Sequence, residues 1–222
     1  MTVGGQPAHA GLAEGPRGRE RGILLGVGIA LLVLSGIQPR DRLTWLLEVA
    51  PIFVAVPVLV ASYRRFPLTR LAYRLVFLHA LVLMLGGHYT YAEVPLGYWV
   101  GDLFGLARNH YDRLGHFVQG FVPAIVVREV LRRVVGLRPG GWLFFLVTCV
   151  CLAVSAVYEL VEWATAVISG SAAMAFLGTQ GDVWDTQWDM FLALLGSITA
   201  QLLLSHRHER ELPPYLARGA GG

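Results

Sequence analysis

Apolar residues occupy this chain in long blocks, at 22–37, 44–62, 71–88, 114–134, 141–169 and 186–205, separated by short polar stretches. A helix crossing the hydrocarbon core of a bilayer needs ~20 such residues, with roughly 17–25 tolerated. The pattern therefore predicts an all-α fold: a polytopic membrane helix bundle with about six transmembrane helices. Residues 1–21 carry Gly, Pro and Arg without an apolar period and read as a flexible cytoplasmic tail. One membrane domain then covers 22–205, and 206–222 form a cytoplasmic C-terminal tail. The first block is short, and Val33-Leu34-Ser35 loosely fits a signal-peptidase site. No soluble secreted domain follows it, so an uncleaved helix is expected.

Composition agrees with lipid as the solvent: 222 residues, 55% hydrophobic and 15% charged, with a mean hydropathy of +0.56. All 18 basic residues are arginine. The basic pI of about 9.1 does not point to nucleic acid, because the charge is parcelled out between apolar blocks and forms no stripe with interleaved aromatics. Cys149 and Cys151 are two apart in an apolar run, point to different helix faces, and read as small core residues.

The arginines set the orientation. With the N-terminal tail inside, the inner segments hold Arg17, Arg19, Arg21, Arg64, Arg65, Arg70, Arg132, Arg133, Arg138, Arg207, Arg210 and Arg218. The outer segments hold only Arg40, Arg42, Arg108 and Arg113. Twelve against four satisfies the positive-inside rule and puts both termini in the cytoplasm. Tyr89, Tyr91, Tyr98 and Trp99 in one outer connection, and Trp184 and Trp188 before the last block, fit rings lying at headgroup level.

This topology gathers ionisable residues in the outer leaflet: Glu48, His88, Asp112, His116, Glu159, Glu162, Asp182, Asp185 and Asp189. An acid at bilayer depth costs ~2.5–3.5 kcal/mol on insertion scales, so it is expected to face a partner, a water-filled cavity or an ion. Asp112, His116 and Gln119 share one helix face, and Ser155, Glu159 and Glu162 share another. On the last helix Asp185, Asp189, Ala193, Gly196 and Ala200 align, acidic at the outer end and small below, which lets a neighbouring helix approach closely.

Structural readings compete with functional ones. Asp112 fits an N-cap, Thr186-Gln187-Trp188-Asp189 fits a capping box, and Glu48 can pair with Arg42. Glu159 and Glu162 resist that treatment, since they lie inside an apolar run with no arginine within a helical turn. The inventory of one imidazole and several carboxylates suits a hard or borderline divalent metal, with His116, Glu159 and Asp189 as candidate ligands. Glu159 and Glu162 could instead share a proton for acid/base work.

Three blocks, HYTYAEVPLGYWVGDLFGLARNHYDRLGHFVQGF at 88–121, YELVEW at 158–163 and QGDVWDTQWDM at 180–190, together resemble the YjdF-type bacterial inner-membrane proteins, a family of unknown function. The resemblance covers about residues 22–210 and implies a shared fold with a shared outer-face polar cluster. More distantly, Asp112-Arg113-Leu114-Gly115-His116-Phe117 is similar to the Asp-Lys-x-x-His-Phe pattern of VanZ-like membrane proteins, some of which are linked to glycopeptide antibiotic resistance. Arg113 stands here where that family has lysine, and the usual Asn after the last Asp motif is missing.

Three functions follow as expectations. The first is a membrane enzyme acting on a lipid-linked or periplasmic ligand. In it Glu159, Glu162, Asp189 and His116 form the catalytic group, and Arg113, Asp112, Gln119, Asp182 and Asp185 bind substrate. The second is a structural or accessory protein whose polar cluster locks the bundle. The third, an ion-coupled transporter, is disfavoured because the inner halves of the helices read as almost uniformly apolar and no inverted repeat is evident.

Overall fold

A computed structural model describes residues 16–169 and 179–213. The described residues are all-helical: α1 (Pro16–Ser35), α2 (Arg42–Ser62), α3 (Arg70–Tyr89), a 3-10 turn (Tyr91–Glu93), α4 (Pro95–Phe104), α5 (Tyr111–Val130) continued by a π turn (Leu131–Val135), α6 (Gly141–Ser169) and α7 (Asp185–Glu211). Of the tails expected at 1–21 and 206–222, residues 1–15 and 214–222 lie outside the described residues, as does most of the last outer connection.

By length and composition five of these helices can cross a membrane: α2, α3, α5 with its π turn, α6 and α7. The sixth expected span, α1, has 20 residues but opens on Arg17, Arg19, Glu20 and Arg21, which shortens its apolar part. It nevertheless runs the full depth of α3. At one end the Glu20 carboxylate accepts from Arg70 and Arg74; at the other, His88 Nδ1 donates to the Ser35 carbonyl at 2.9 Å.

The same contacts place the start of α1 and the end of α7. Glu20 meets the start of α3 at Arg70, and Glu211, at the end of α7, accepts from the Leu71 amide at 2.8 Å. Arg132 and Arg133 lie at this end too, through contacts to Glu209 and to the Pro67 carbonyl. The arginine-rich ends of the helices therefore coincide in one layer, as the positive-inside argument requires.

The bundle is built around α5 and α7. A Cβ on Gly120 would collide with the Ala193 backbone, and one on Gly196 with the Phe117 carbonyl, so both glycines are what let the two helices touch. The small stripe read from the sequence lies on this seam: Asp185, Asp189, Ala193, Gly196 and Ala200 are all buried. Helix α6 packs on both members of the pair, α3 packs on α5, and α1 and α2 pack on α3. Between them Leu71, Leu75, Val122, Ile125, Leu143, Val147 and Ala200 fill the core. Large apolar side chains such as Phe53, Val58, Phe145, Leu160 and Leu202 point outward, where lipid replaces water as their solvent.

The outer connection between α3 and α5 holds an element that the sequence reading treated as loop. Helix α4 starts with Pro95 at its first turn and ends on Gly105, whose φ of +65° is the left-handed conformation that glycine adopts freely. Leu96, Tyr98, Trp99, Leu103 and Phe104 are exposed on it, as suits a short helix lying in the interface. Tyr91 is no headgroup-level ring; it is buried against Gly86, Gly115 and Tyr111.

Candidate functional site

Helices α5, α6 and α7 bring the outer-leaflet residues together around the His116 imidazole. His116, one turn into α5, is buried, and its two nitrogens face different carboxylates. Nδ1 donates to Gln119 Oε1 at 3.0 Å and stands 3.7 Å from Glu159 Oε1. Nε2 stands 3.5 Å from Asp112 Oδ1 and 3.9 Å from Asp189 Oδ2. Two overlapping triads result, Asp112–His116–Asp189 and His116–Glu159–Glu162, each with donor atoms within 4.8 Å of one another.

The cap explanation for two of these acids does not hold. His110 occupies the N-cap of α5, so Asp112 lies inside the first turn. Helix α7 begins at Asp185 after Trp184, which places Thr186 within the helix and Asp189 in its buried face. Glu48 is also turned inward: it is buried, 3.5 Å from the Tyr158 hydroxyl, and makes no ion pair with Arg42 among the described residues. Tyr158 stands edge-on to the His116 ring, with centroids 6.4 Å apart.

A rim of ion pairs surrounds this core on the outer side. Arg108 reaches Asp182 at 3.1 Å and Asp185 at 2.9 Å, and Arg113 reaches Asp182 at 2.7 Å. Arg113 also lies over the Trp188 ring and donates to His110 Nδ1 at 3.3 Å. Burial, and then the guanidiniums of Arg113 and Arg108, lower the affinity of His110 for a proton, which keeps Nδ1 available as an acceptor. Asp182, Asp185 and Arg113 thus belong to a rim of paired charges, while His116, Asp112, Gln119, Glu159, Glu162 and Asp189 form the buried core. Arg108, which ties the last connection to α7, was not singled out from the sequence; a cation in an outer loop carries no sign of its partner 74 residues away.

Inside that rim the hydrogen bonding is incomplete. Among the described residues Glu159 Oε1 and Asp189 Oδ1 are buried and have no hydrogen-bond partner, and neither has the Ser155 hydroxyl one turn below Glu159. The side chains of Glu159 and Asp189 are only 6% and 4% exposed. Buried acceptors are ordinarily satisfied, because leaving one bare costs ~1–3 kcal/mol and more when it is charged.

A second buried polar cluster lies at the inner end of the same helix pair, where the sequence reading expected apolar helix halves. Glu129 and His208 are fully buried and Arg128 and Arg132 nearly so. Arg128 donates to His208 Nδ1 at 3.2 Å, and His208 Nε2 donates to Glu129 Oε2 at 3.2 Å. The Thr69 amide and hydroxyl and Arg133 complete the Glu129 carboxylate, and Glu209 accepts from Arg128 and Arg132. The charges at 128 and 129 inside an apolar block were a visible signal, but their partners on α7 sit in what reads as a tail.

Comparison with known proteins bears on both clusters, since each lies between residues 21 and 210, the stretch matched by the family described as "Predicted membrane protein (DUF2238)". The chain belongs to this family. It is 54% identical over 182 residues to the "Inner membrane protein YjdF" of Escherichia coli (strain K12), covering 82% of this chain and 87% of that protein. No solved structure matches. The protein is thus a multi-pass inner-membrane protein of a family whose description states no activity.

Proposed function

We propose that the outer cluster binds a divalent cation on His116 and that the protein uses it on a lipid-linked or periplasmic ligand at the outer leaflet. The observation that carries this is the buried Asp189 Oδ1, left without a donor among the described residues in a core where four carboxylates surround a single imidazole. Asp112, Glu159, Glu162 and Asp189 bring up to four negative charges, against which His116 supplies at most one positive charge. A cation supplies what the protein side chains do not.

The Gln119 contact favours one of the two triads. With Nδ1–H donated to Gln119 Oε1, the lone pair of His116 is on Nε2, the nitrogen that faces Asp112 and Asp189. Asp112, His116 and Asp189 are then the ligands. Glu159, 3.7 Å from Nδ1 on the other side of the ring, adds negative charge behind the imidazole, and Glu162 is the nearby acid or base. A cation held by three protein ligands keeps a position open for a ligand oxygen, which it would polarise as a Lewis acid. The rim arginines are already paired with Asp182 and Asp185, so they shape the entrance and do not act as free anion clamps.

Elemental analysis of the detergent-purified protein, after dialysis against a weak chelator, tests this reading beside His116→Ala, Asp189→Asn and Glu159→Gln. The expected result is stoichiometric metal in the wild type, lost in the first two variants and weakened in the third. Absence of metal from wild-type protein that remains folded and is supplied with divalent ions would overturn it. The outer acids would then be a proton-sharing structural network.

A further inference from the structure

Helices α1 and α2 both pack on α3 but leave between them an apolar furrow with a volume of about 430 Å³. It runs along α1 from Gly18 to Leu32, floored by Val76, Phe77 and Ala80 of α3 and walled on the far side by Phe53, Pro57 and Val60 of α2. Glycine keeps it open: a Cβ at Gly22 would meet nothing within 4 Å, and one at Gly28 only the Phe77 ring at 3.7 Å. A flexible methylene chain fits it.

At the inner mouth stands Arg21. Its guanidinium lies 5.6 Å from the centre of the Tyr63 ring and 5.0 Å from that of Tyr73, and donates to the Leu68 carbonyl at 3.2 Å. Among the described residues its Nε is buried without a partner and Arg21 forms no ion pair. The neighbouring Glu20 is engaged by Arg70 and Arg74. A positive charge with no counter-charge, held between two tyrosines at headgroup depth above an apolar slot, complements a phosphate joined to an acyl chain.

We propose that this furrow holds one acyl chain of an anionic phospholipid from the inner leaflet, with the headgroup phosphate on Arg21. The site is on the opposite side of the bundle's depth from the outer cluster and involves none of its residues, so either proposal can fail alone.

Native mass spectrometry of delipidated protein titrated with phosphatidylglycerol or phosphatidylethanolamine tests it, with Arg21→Gln and Gly22→Leu as variants. One phosphatidylglycerol per chain is expected, bound about fivefold tighter than phosphatidylethanolamine, the preference one arginine near the membrane surface supplies. Arg21→Gln should abolish that preference, and Gly22→Leu, which adds a bulky side chain at a position lining the furrow, should abolish retention of both lipids with thermal unfolding unchanged. Equal retention of the two lipids by wild type, or full retention by Gly22→Leu, would overturn the proposal. So would a wild-type dimer that Gly22→Leu converts to monomer, since a second copy would then be the occupant. If Gly22→Leu fails to fold, Arg21→Gln decides alone through the lipid preference.

Discussion

The two ends of the α5–α7 pair use similar residues to different effect. At the inner end every oxygen of Glu129 and Glu209 receives a donor from an arginine, a histidine or Thr69. At the outer end the acids outnumber the cations in the buried core, and among the described residues Glu159 and Asp189 each keep a bare oxygen. A network that locks helices can have every carboxylate oxygen met by a donor from the protein, and the inner one does, with only Arg133 Nε left over among the described residues. The outer one, among the described residues, does not. Between them the core is closed, because Gly120 and Gly196 let α5 and α7 meet backbone to backbone above Val122, Ile125 and Leu143. This separation, more than any shortage of polar groups at the inner end, argues against a continuous path for ions.

The largest effect is expected from breaking the finished network. Glu129→Ala removes the acceptor shared by Thr69, Arg133 and His208 and leaves Arg133 charged and 9% exposed without its carboxylate. Removing one partner of a buried pair costs ~3–5 kcal/mol. Thermal unfolding in detergent should drop sharply, with or without divalent ions. A loss under 1 kcal/mol would show that the inner network does not hold the bundle, and the contrast with the outer cluster would collapse.

The outer cluster should respond to metal instead. In chelator, Asp189→Asn is expected to leave stability unchanged or raise it, since it removes one of several crowded negative charges. With a divalent ion at 100 times its dissociation constant, wild type should gain about 2.7 kcal/mol and Asp189→Asn nearly nothing. If Asp189→Asn destabilises the protein in chelator as Glu129→Ala does, the acid is a structural member and the two clusters are the same kind of object.

The seam between the clusters gives a smaller effect. Gly196→Ala places a methyl against the Phe117 carbonyl and forces α5 and α7 apart, at a cost of ~1–3 kcal/mol. A crosslinking or spin-label distance across the pair should lengthen. If neither the distance nor stability changes, the helices are not held at contact distance and the closed core is not a barrier.

How far the sequence spoke for itself differs between these regions. The all-helical bundle of spanning length and the gathering of the arginines at one end of it were legible, because span length and arginine placement are one-dimensional properties of the chain. The small face of α7 was legible from its period, and it lies on the seam. Three features were not. Helix α4 is too short for its apolar face to separate from a loop containing Pro95 and Gly105. Tyr91 resembled an interfacial ring, but Gly86 and Gly115 leave room to bury it. The pairing of Glu129 with His208 joins a span to what looked like a tail, across 79 positions, and no local pattern encodes that distance.

The smallest expected effect lies at the rim, and it decides where the outer site ends. Arg113 and Asp182 are 2.7 Å apart with side chains 21% and 22% exposed, so solvent screens them and a double-mutant cycle of Arg113→Ala with Asp182→Ala should give a coupling of ~0–1 kcal/mol. Metal content should be unaffected by either substitution, because neither residue belongs to a triad around His116. A cycle that returned several kcal/mol, or a rim variant that lost the metal, would mean that the paired charges are continuous with the buried core. The outer end would then be one extended site, and its difference from the inner network would lie in what binds it and no longer in how its side chains are satisfied.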